Sequence, residues 1–389
     1  MPDTPDFDGT IDRLRTAGGL KWTLHPAAIG AFVAEMDFGT AEPVVRALHE
    51  SVESGLFGYL PPRLVDELAR AWTGFARDRY GWDVPPERVR PLADVVSGLV
   101  VAIDHFSRPG RPVILPTPAY MPFLVVPREL GRDIIQVPMA RDGDRYVYDL
   151  DALDAAYRAG GDLLVLCNPH NPIGRVLEPD EMTAVAEVVD RHGGRVFSDE
   201  IHAPLVYDGL RHVPYATLSD VTAAHTVTAV SASKAWNLPG LKCAQLVLSN
   251  DADAELWARV GTTPEHGASN PGVVANIAAY TQGGPWLDAV LAHLDGSRRL
   301  LGDLLAAHLP EVRYRAPEGT YLAWLDCRDL GLGDHPGEFF LEHAGVALTD
   351  GPACGDAGAG FARYNFATPR AVMEQTVARM GEAVHRHRG

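Results

Sequence analysis

Apolar residues follow two alternating patterns along this chain: short continuous runs, and positions spaced three or four apart. Between residues 42 and 80, apolar residues three or four positions apart predict two helices, which the Gly/Pro-rich segment FGYLPPR separates. Beyond this break, continuous apolar runs bounded by turn residues alternate with helical patterns, which is typical of a mostly parallel α/β sheet. The predicted buried strands are PVILP, DIIQVPM, DLLVLCNP, GRVFSD, TVTAVSA and CAQLVLSN.

The pattern changes near residues 283–285, which indicates a second unit in the C-terminal part. A long helical pattern is followed there by the strand-like segments YLAWLD and FARYNF and by a closing helix, as in a smaller α+β domain. Residues 1–40 carry few periodic signals and predict an extended arm. The chain has 389 residues, enough for two domains. The predicted parts are an N-terminal arm belonging to the small domain at 1–41, a large domain at 42–284 and a small domain at 285–389.

The charge of the chain narrows the classes of partner. There are 34 Lys and Arg against 51 Asp and Glu, a formal net charge of -17, and so negative a surface repels nucleic acids and anionic membranes. The sequence contains no run of about 18 apolar residues, the length needed to span a bilayer. The acidic N-terminus leads us to expect no secretory signal. The four cysteines form no C-x-x-C pair, which favours reduced thiols in a cytoplasmic protein.

Lysine is rare in this sequence, with three lysines against 31 arginines. Lysine can lose its proton and form an imine, whereas arginine can do neither. Two lysines, Lys234 and Lys242, lie in the segment SASKAWNLPGLK after a predicted strand. Ser231, Ser233 and Lys242 would suit a phosphate, with Lys234 bonding to the carbonyl carbon of a phosphorylated aldehyde cofactor. Alternatively, codon bias accounts for the scarcity of lysine, and the segment is a Ser-rich turn with a solvated lysine.

Two further motifs place polar groups directly after predicted strands. In CNPHNPIGR, a tight turn allows the amide of Asn171 to face a ligand. In SDEIH, Asp199 stands at a strand end, where open α/β sheets bind ligands, and it could pair with a protonated ring nitrogen. Alternatively, CNPHNPIGR is a plain turn and SDEIH is part of an exposed loop.

Three other segments offer weaker signals of a binding site. Backbone N–H groups at a helix start in Ser97–Val100 could bind a phosphate, although a plain helix cap has the same appearance. Tyr120 could stack on an aromatic cofactor, or belong to the core. Arg363 lies within a strand-like run and could clamp a carboxylate with two hydrogen bonds, or lie on an edge strand. We identify no metal site.

Taken in their order along the chain, these motifs resemble the class I/II aminotransferase superfamily of pyridoxal-phosphate enzymes, fold type I. Within it, the chain resembles the cystathionine β-lyase or cysteine C–S lyase branch. The superfamily motifs, over residues 95–370, are SGLV, TPAY, NPHNPIG, SDEIH, SASKAWNLPGLK and FARYNFATP. The branch motifs are KW at Lys21-Trp22, AEMDF at Ala34–Phe38, FGYLPP, DEIHAPL and GTYLAWLDCRDLGL. The chain departs from the common pattern at two positions: His202 replaces a Tyr of many aminotransferases, and Glu35 replaces an expected Asp.

The resemblance implies a large cofactor-binding domain with a mostly parallel seven-stranded sheet between helices, and a smaller α+β C-terminal domain. It implies pyridoxal 5'-phosphate as cofactor and Lys234, Tyr120 and Asp199 as catalytic residues. Lys234 would bond to the cofactor and move the substrate's Cα proton. Tyr120 would stack on the cofactor ring, and Asp199 would face the ring nitrogen. The remaining implied cofactor contacts are Asn171 and His202 around the ring, and Ser231, Ser233, Lys242 and the backbone of Gly98 and Leu99 at the phosphate. Arg363, with Asn171, would bind the carboxylate of a small amino-acid substrate. Tyr59 would reach the phosphate of the neighbouring subunit in a homodimer.

The reaction implied by the branch is β-elimination from a cysteine thioether, such as L-cystathionine or a cysteine S-conjugate, giving thiol, pyruvate and ammonia. Transamination starts from the same carbanion, and so the motifs leave both reactions open. A specialised relative that oxidatively deaminates a cysteine conjugate is a third interpretation. A non-enzymatic sensor that keeps the fold is a fourth.

Overall fold

The computed structural model describes residues 5–207 and 209–388. Residues 1–4 of the expected arm lie outside this range. The α-helices are α1 (Ile11–Ala17), α2 (Leu20–Thr23), α3 (Glu42–Glu53), α4 (Pro62–Tyr80), α5 (Val95–His105), α6 (Pro122–Glu129), α7 (Leu150–Arg158), α8 (Pro179–Arg191), α9 (Asp220–His225), α10 (Asp251–Val260), α11 (Thr262–Glu265), α12 (Asn270–Gln282), α13 (Gly284–His308), α14 (Pro336–Ala344) and α15 (Arg370–Arg388). The strands are β1 (Ile29–Gly30), β2 (Val89–Leu92), β3 (Val113–Thr117), β4 (Ile134–Pro138), β5 (Ala140–Asp142), β6 (Arg145–Val147), β7 (Leu163–Cys167), β8 (Arg195–Asp199), β9 (Thr226–Val230), β10 (Ala244–Leu248), β11 (Arg313–Tyr314), β12 (Leu322–Asp326), β13 (Val346–Ala347), β14 (Thr349–Asp350) and β15 (Phe361–Asn365).

A seven-stranded sheet in the order β2-β10-β9-β8-β7-β3-β4 forms the centre of the large domain. Only β10 runs antiparallel to its neighbours, which confirms the expected mostly parallel sheet. All six predicted runs form strands of this sheet, and four of them are buried at every position because helices cover both faces. The strand β2 was not predicted, because its sequence VRPL is short and contains Pro and Arg.

The parallel strands bring three of the predicted motifs to one edge of the sheet. Cys167 at the end of β7 lies opposite Asp199 at the end of β8, and Asp199 lies opposite Ala229 of β9. The segments that follow these strands therefore emerge side by side. Open α/β sheets bind ligands at this carboxyl edge.

A second, four-stranded antiparallel sheet in the order β11-β12-β15-β14 lies in the C-terminal part. The predicted long helix corresponds to α13 and the closing helix to α15, and these two helices contact each other. The domain boundaries at 41/42 and 284/285 remain a prediction, although each sheet falls within one predicted domain. No described helix is both long and apolar enough to cross a membrane.

The expectation of an extended arm is wrong for residues 11–23, which form α1 and α2. Thr10 caps α1 by accepting a hydrogen bond from the Arg13 N–H, and Gly18 ends it in a left-handed conformation. Helices of seven and four residues contain too few turns to produce a clear apolar period. The arm then joins the small domain, since β1 pairs in parallel with β13.

A buried ion pair fixes the arm. The Lys21 ammonium lies 2.8 Å from Asp37 Oδ2, and the Trp22 indole N–H donates to Asp37 Oδ1 at 2.8 Å. The charged side chains are 1% and 4% exposed. The KW and AEMDF motifs therefore supply the two sides of one buried contact, which gives Lys21 a structural role.

We predict that Asp37→Ala lowers the free energy of unfolding by about 3–5 kcal/mol, because it leaves a buried ammonium without its partner. Denaturation in urea measures this loss. The double variant Lys21→Met/Asp37→Leu should lose less, because it removes both charges together. As a matched control, Glu67→Ala breaks the exposed Arg63–Glu67 pair and should cost less than about 1 kcal/mol. Equal losses in Asp37→Ala and in this control would contradict the account.

Candidate active site

Lys234 lies in the turn after β9, partly buried, with its ammonium donating to the Ala34 carbonyl at 2.9 Å. The buried Tyr321 hydroxyl donates to the same carbonyl at 2.9 Å. Burial, assisted by the nearby Arg363 cation, lowers the pKa of Lys234 to about 8, while the carboxylates of Glu35 and Asp199 oppose this shift. About a tenth of this amine is therefore unprotonated and nucleophilic at pH 7, and about half of it at pH 8.

Asp199 is the last residue of β8 and is 4% exposed. Its Oδ1 accepts a hydrogen bond from the Ile201 N–H at 3.0 Å, and no described residue donates to Oδ2. Burial raises the pKa of this carboxyl to about 7, although the Ile201 N–H and the Lys234 cation act against the rise. A buried carboxylate with one free oxygen fits a cationic N–H donor, such as a protonated ring nitrogen.

Arg363 on β15 is 1% exposed and contacts three separate parts of the chain. Its Nη1 donates to Asn171 Oδ1 at 2.9 Å, and its Nη2 donates to the Phe32 carbonyl at 2.6 Å and to the Thr349 hydroxyl at 3.0 Å. Its Nε–H is buried without a partner among the described residues. One donor of the guanidinium therefore has no described partner, and the binding of a substrate carboxylate by Arg363 and Asn171 stays a prediction.

The phosphate prediction at the start of α5 requires a correction. The Gly98 N–H donates to the Asp94 carbonyl at 3.2 Å, and Leu99 lies one residue deeper in the helix, with its side chain in the core. Gly98 serves packing instead, because a Cβ there would lie 3.3 Å from the Ala229 Cβ. The N–H groups without a described partner are those of Val95 and Val96, the first two residues of the helix.

Of the other predicted phosphate ligands, Lys242 lies at this helix start. Lys242 pairs with Asp94 at 2.8 Å, and Asp94 also accepts from the Ser97 N–H. The Ser231 hydroxyl donates to the Cys243 carbonyl at 2.7 Å and accepts from the Ser233 N–H, so that it shapes the turn before Lys234. The Ser233 hydroxyl makes no hydrogen bond to a described residue.

Tyr120 and His202 both lie within electrostatic reach of Arg363. Tyr120 is partly buried with its ring edge-to-face on Phe123, and burial raises the pKa of its hydroxyl. His202 is buried with an unpartnered Nδ1 and lies edge-to-face on Tyr321. Burial, with the Lys234 and Arg363 cations, holds the pKa of His202 well below its usual value, so its imidazole is neutral.

Tyr59 takes no part in this cluster. It is 94% exposed in the loop between α3 and α4, beside the 74% exposed Phe57. Both residues line a cavity of about 690 Å³ together with Arg90 and His266. An exposed aromatic pair at a cavity is typical of a surface that another protein covers.

Sequence reasoning missed the residues that hold Lys234 and Arg363. Ala34 contributes only a carbonyl, and Tyr321 and Thr349 contribute hydroxyls that no spacing rule singles out. The available signal was the pair of branch motifs AEMDF and GTYLAW, which contain Ala34 and Tyr321.

Residues 32–380 match the family model for aminotransferase class I and II. The chain belongs to this family. It is 41% identical to a putative cystathionine beta-lyase of Mycobacterium tuberculosis over 99% of both chains, and 37% identical to a cystathionine beta-lyase of Corynebacterium glutamicum over 96% of this chain and 99% of that one. The crystal structure of a putative pyridoxal-phosphate-dependent beta-cystathionase from Corynebacterium diphtheriae matches with a TM-score of 0.92 and 37% identity over 99% of both chains. The predicted fold type I architecture is confirmed.

We predict that the apoprotein takes up pyridoxal phosphate covalently at a rate that follows the free amine of Lys234. With the pKa of Lys234 lowered to about 8, the rate should rise about fivefold between pH 7 and 8 and level off above pH 9. Stopped-flow absorbance of the lysine–cofactor imine measures it, and Lys234→Ala should form none. A tenfold rise per pH unit continuing to pH 10 would show an amine with an ordinary lysine pKa.

Proposed function

We propose that this chain is a pyridoxal-phosphate-dependent carbon–sulfur lyase that removes the β-substituent of cysteine thioethers. The observation that carries the proposal is the juxtaposition of Lys234, with a pKa of about 8, with the buried groups Asp199 and Arg363. Full-length similarity to cystathionine beta-lyases supports the reaction and its substrate class.

The described residues fit the cofactor at both of its ends. Asp199 has a free oxygen for the ring nitrogen, and the buried Nδ1 of His202 lacks a partner. Val95, Val96 and Lys242 offer donors to the phosphate. Lys234 would hold the cofactor covalently, Tyr120 would lie against its ring and Asn171 would offer its amide to the phenolic oxygen.

When bound, the cofactor supplies an electron sink for a carbanion at the substrate's Cα. Arg363 would bind the α-carboxylate through its guanidinium. The amine of Lys234, which the Ala34 carbonyl holds, would remove the Cα proton. The bond between Cβ and sulfur then breaks, and its electron pair leaves on the thiolate. Hydrolysis with one water gives pyruvate and ammonia beside the thiol.

Transamination is the second candidate, since the matching family model is that of aminotransferases and Lys234 can return its proton to the cofactor instead. This outcome requires a 2-oxo acid as acceptor, whereas elimination requires none. The acceptor requirement therefore separates the two reactions.

We also propose a homodimer in which Tyr59 reaches the phosphate site of the neighbouring subunit. The exposure of Tyr59 and Phe57 beside a large cavity supports this assignment, because a partner would cover both rings. We further propose a cytoplasmic location, which the four free and buried cysteines support.

We predict that the holoenzyme releases pyruvate, ammonia and thiol from L-cystathionine and from an S-alkyl-L-cysteine without any added 2-oxo acid. Coupled assays of all three products measure the reaction. Lys234→Ala should abolish it, because no other described group near the substrate's Cα offers a free amine. Turnover that appears only after a 2-oxo acid is supplied would establish transamination instead.

For the shared site, we predict complementation between two weak variants. When Lys234→Ala and Tyr59→Ala subunits are mixed at random, about half of the dimers are hybrids. Each hybrid has one site that contains both Lys234 and Tyr59, so the mixture should regain about a quarter of the wild-type activity. Mixing Tyr59→Ala with the double variant Tyr59→Ala/Lys234→Ala is the control and should restore nothing. Absence of restoration in the first mixture, despite subunit exchange, would contradict a site shared between subunits.

A further inference from the structure

Residues 32–38, which we call the strap, form one wall of the site and are held through their backbone. Asn365 Nδ2 donates to the carbonyls of Val33 and Glu35 at 2.6 and 2.7 Å. Asn237 bonds both the N–H and the carbonyl of Met36 at 2.9 Å. These contacts fix the backbone on both sides of Glu35 without using its side chain.

The Glu35 carboxylate has no hydrogen-bond or ion-pair partner among the described residues, although its residue is partly buried. Its negative charge acts on Lys234 and on Tyr321. Its Oε2 lies 3.9 Å from the position that a Cβ on the exposed Gly19 would occupy. The carboxylate is thus near the catalytic amine and also close to the surface, at the rim of the site.

The other charges around the site already have partners in the proposed reaction. Asp199 faces the cofactor nitrogen, Asp94 pairs with Lys242, and Arg363 binds the substrate's α-carboxylate. Of the two described carboxylates whose charge acts on Lys234, Asp199 is assigned to the cofactor, which leaves Glu35 for a cation on the substrate. With the α-carbon end held inside the site by Arg363 and Lys234, an extended S-substituent would point outward, towards the rim.

We propose that Glu35 determines substrate specificity by pairing with an ammonium group on the leaving thiol of the substrate. This inference rests on the proposed lyase function. The preferred substrates are cysteine thioethers whose S-substituent ends in a cation. Thioethers with a neutral alkyl substituent lack this contact.

The test compares two thioethers of equal length, S-(2-aminoethyl)-L-cysteine and S-propyl-L-cysteine, on the holoenzyme. We divide the kcat/KM of the cationic substrate by the kcat/KM of the neutral one. Glu35→Gln should lower this ratio about fivefold or more, and the change should appear as a higher KM for the cationic substrate. Any effect of the lost charge on Lys234 acts on both substrates and cancels in the ratio. Glu35→Asp should retain most of the preference. Asp12→Asn removes one exposed negative charge from the arm and should leave the ratio unchanged.

A binding measurement makes the test independent of elimination. L-Lysine and L-2-aminoheptanoate have the same chain length but no leaving group, and the cofactor absorbance reports their binding. The wild-type protein should bind L-lysine more tightly, and Glu35→Gln should remove this preference.

The possible failures are distinguishable. If the wild-type protein cleaves neither thioether but binds L-lysine through Glu35, the lyase function is wrong and the recognition by Glu35 stands. If it cleaves both thioethers and Glu35→Gln changes neither the ratio nor the binding preference, the role of Glu35 is wrong and the lyase function stands.

Discussion

The buried guanidinium of Arg363 is the contact on which the assembly of the site depends. It joins the large domain through Asn171, the small domain through Thr349 and the strap through the Phe32 carbonyl. An arginine that is 1% exposed is tolerated only where polar groups satisfy it. The hydrogen bonds that stabilise this charge therefore bring three distant parts of the sequence together, and they leave its Nε–H without a described partner.

Burial also shifts the pKa values of Lys234 and Asp199. Removal from water lowers the pKa of Lys234 and raises that of Asp199, so both lie closer to neutrality than in water. The environment of the Lys234 amine includes the Ala34 carbonyl of the strap. The strap is fixed in turn by the Lys21–Asp37 pair, so this buried contact supports the position of the Lys234 amine.

The sheet could be predicted because continuous apolar runs mark its buried strands. The polar segments that follow β8 and β9 point to Asp199 and Lys234 as candidate site residues, and their roles stay predictions. Gly98 was assigned to the phosphate from the motif alone, but the helix begins at Val95, the Gly98 N–H is bonded within it, and Gly98 packs against the sheet. The arm helices are too short for a periodic signal. Ala34 acts through its backbone alone, and a contact of this kind depends on tertiary structure that the sequence pattern does not contain.

The measurement that tests the central claim most directly is the steady-state kinetics of Arg363→Lys and Arg363→Ala with an S-alkyl-L-cysteine. The cofactor absorbance should be retained as evidence of an intact site. Loss of the guanidinium should raise KM about 30-fold or more, since truncating one partner of a buried charged pair costs about 2–5 kcal/mol. Arg363→Lys should rescue little, because an ammonium cannot reproduce the planar set of donors. An unchanged KM in both variants would show that the carboxylate binds elsewhere and would contradict the account.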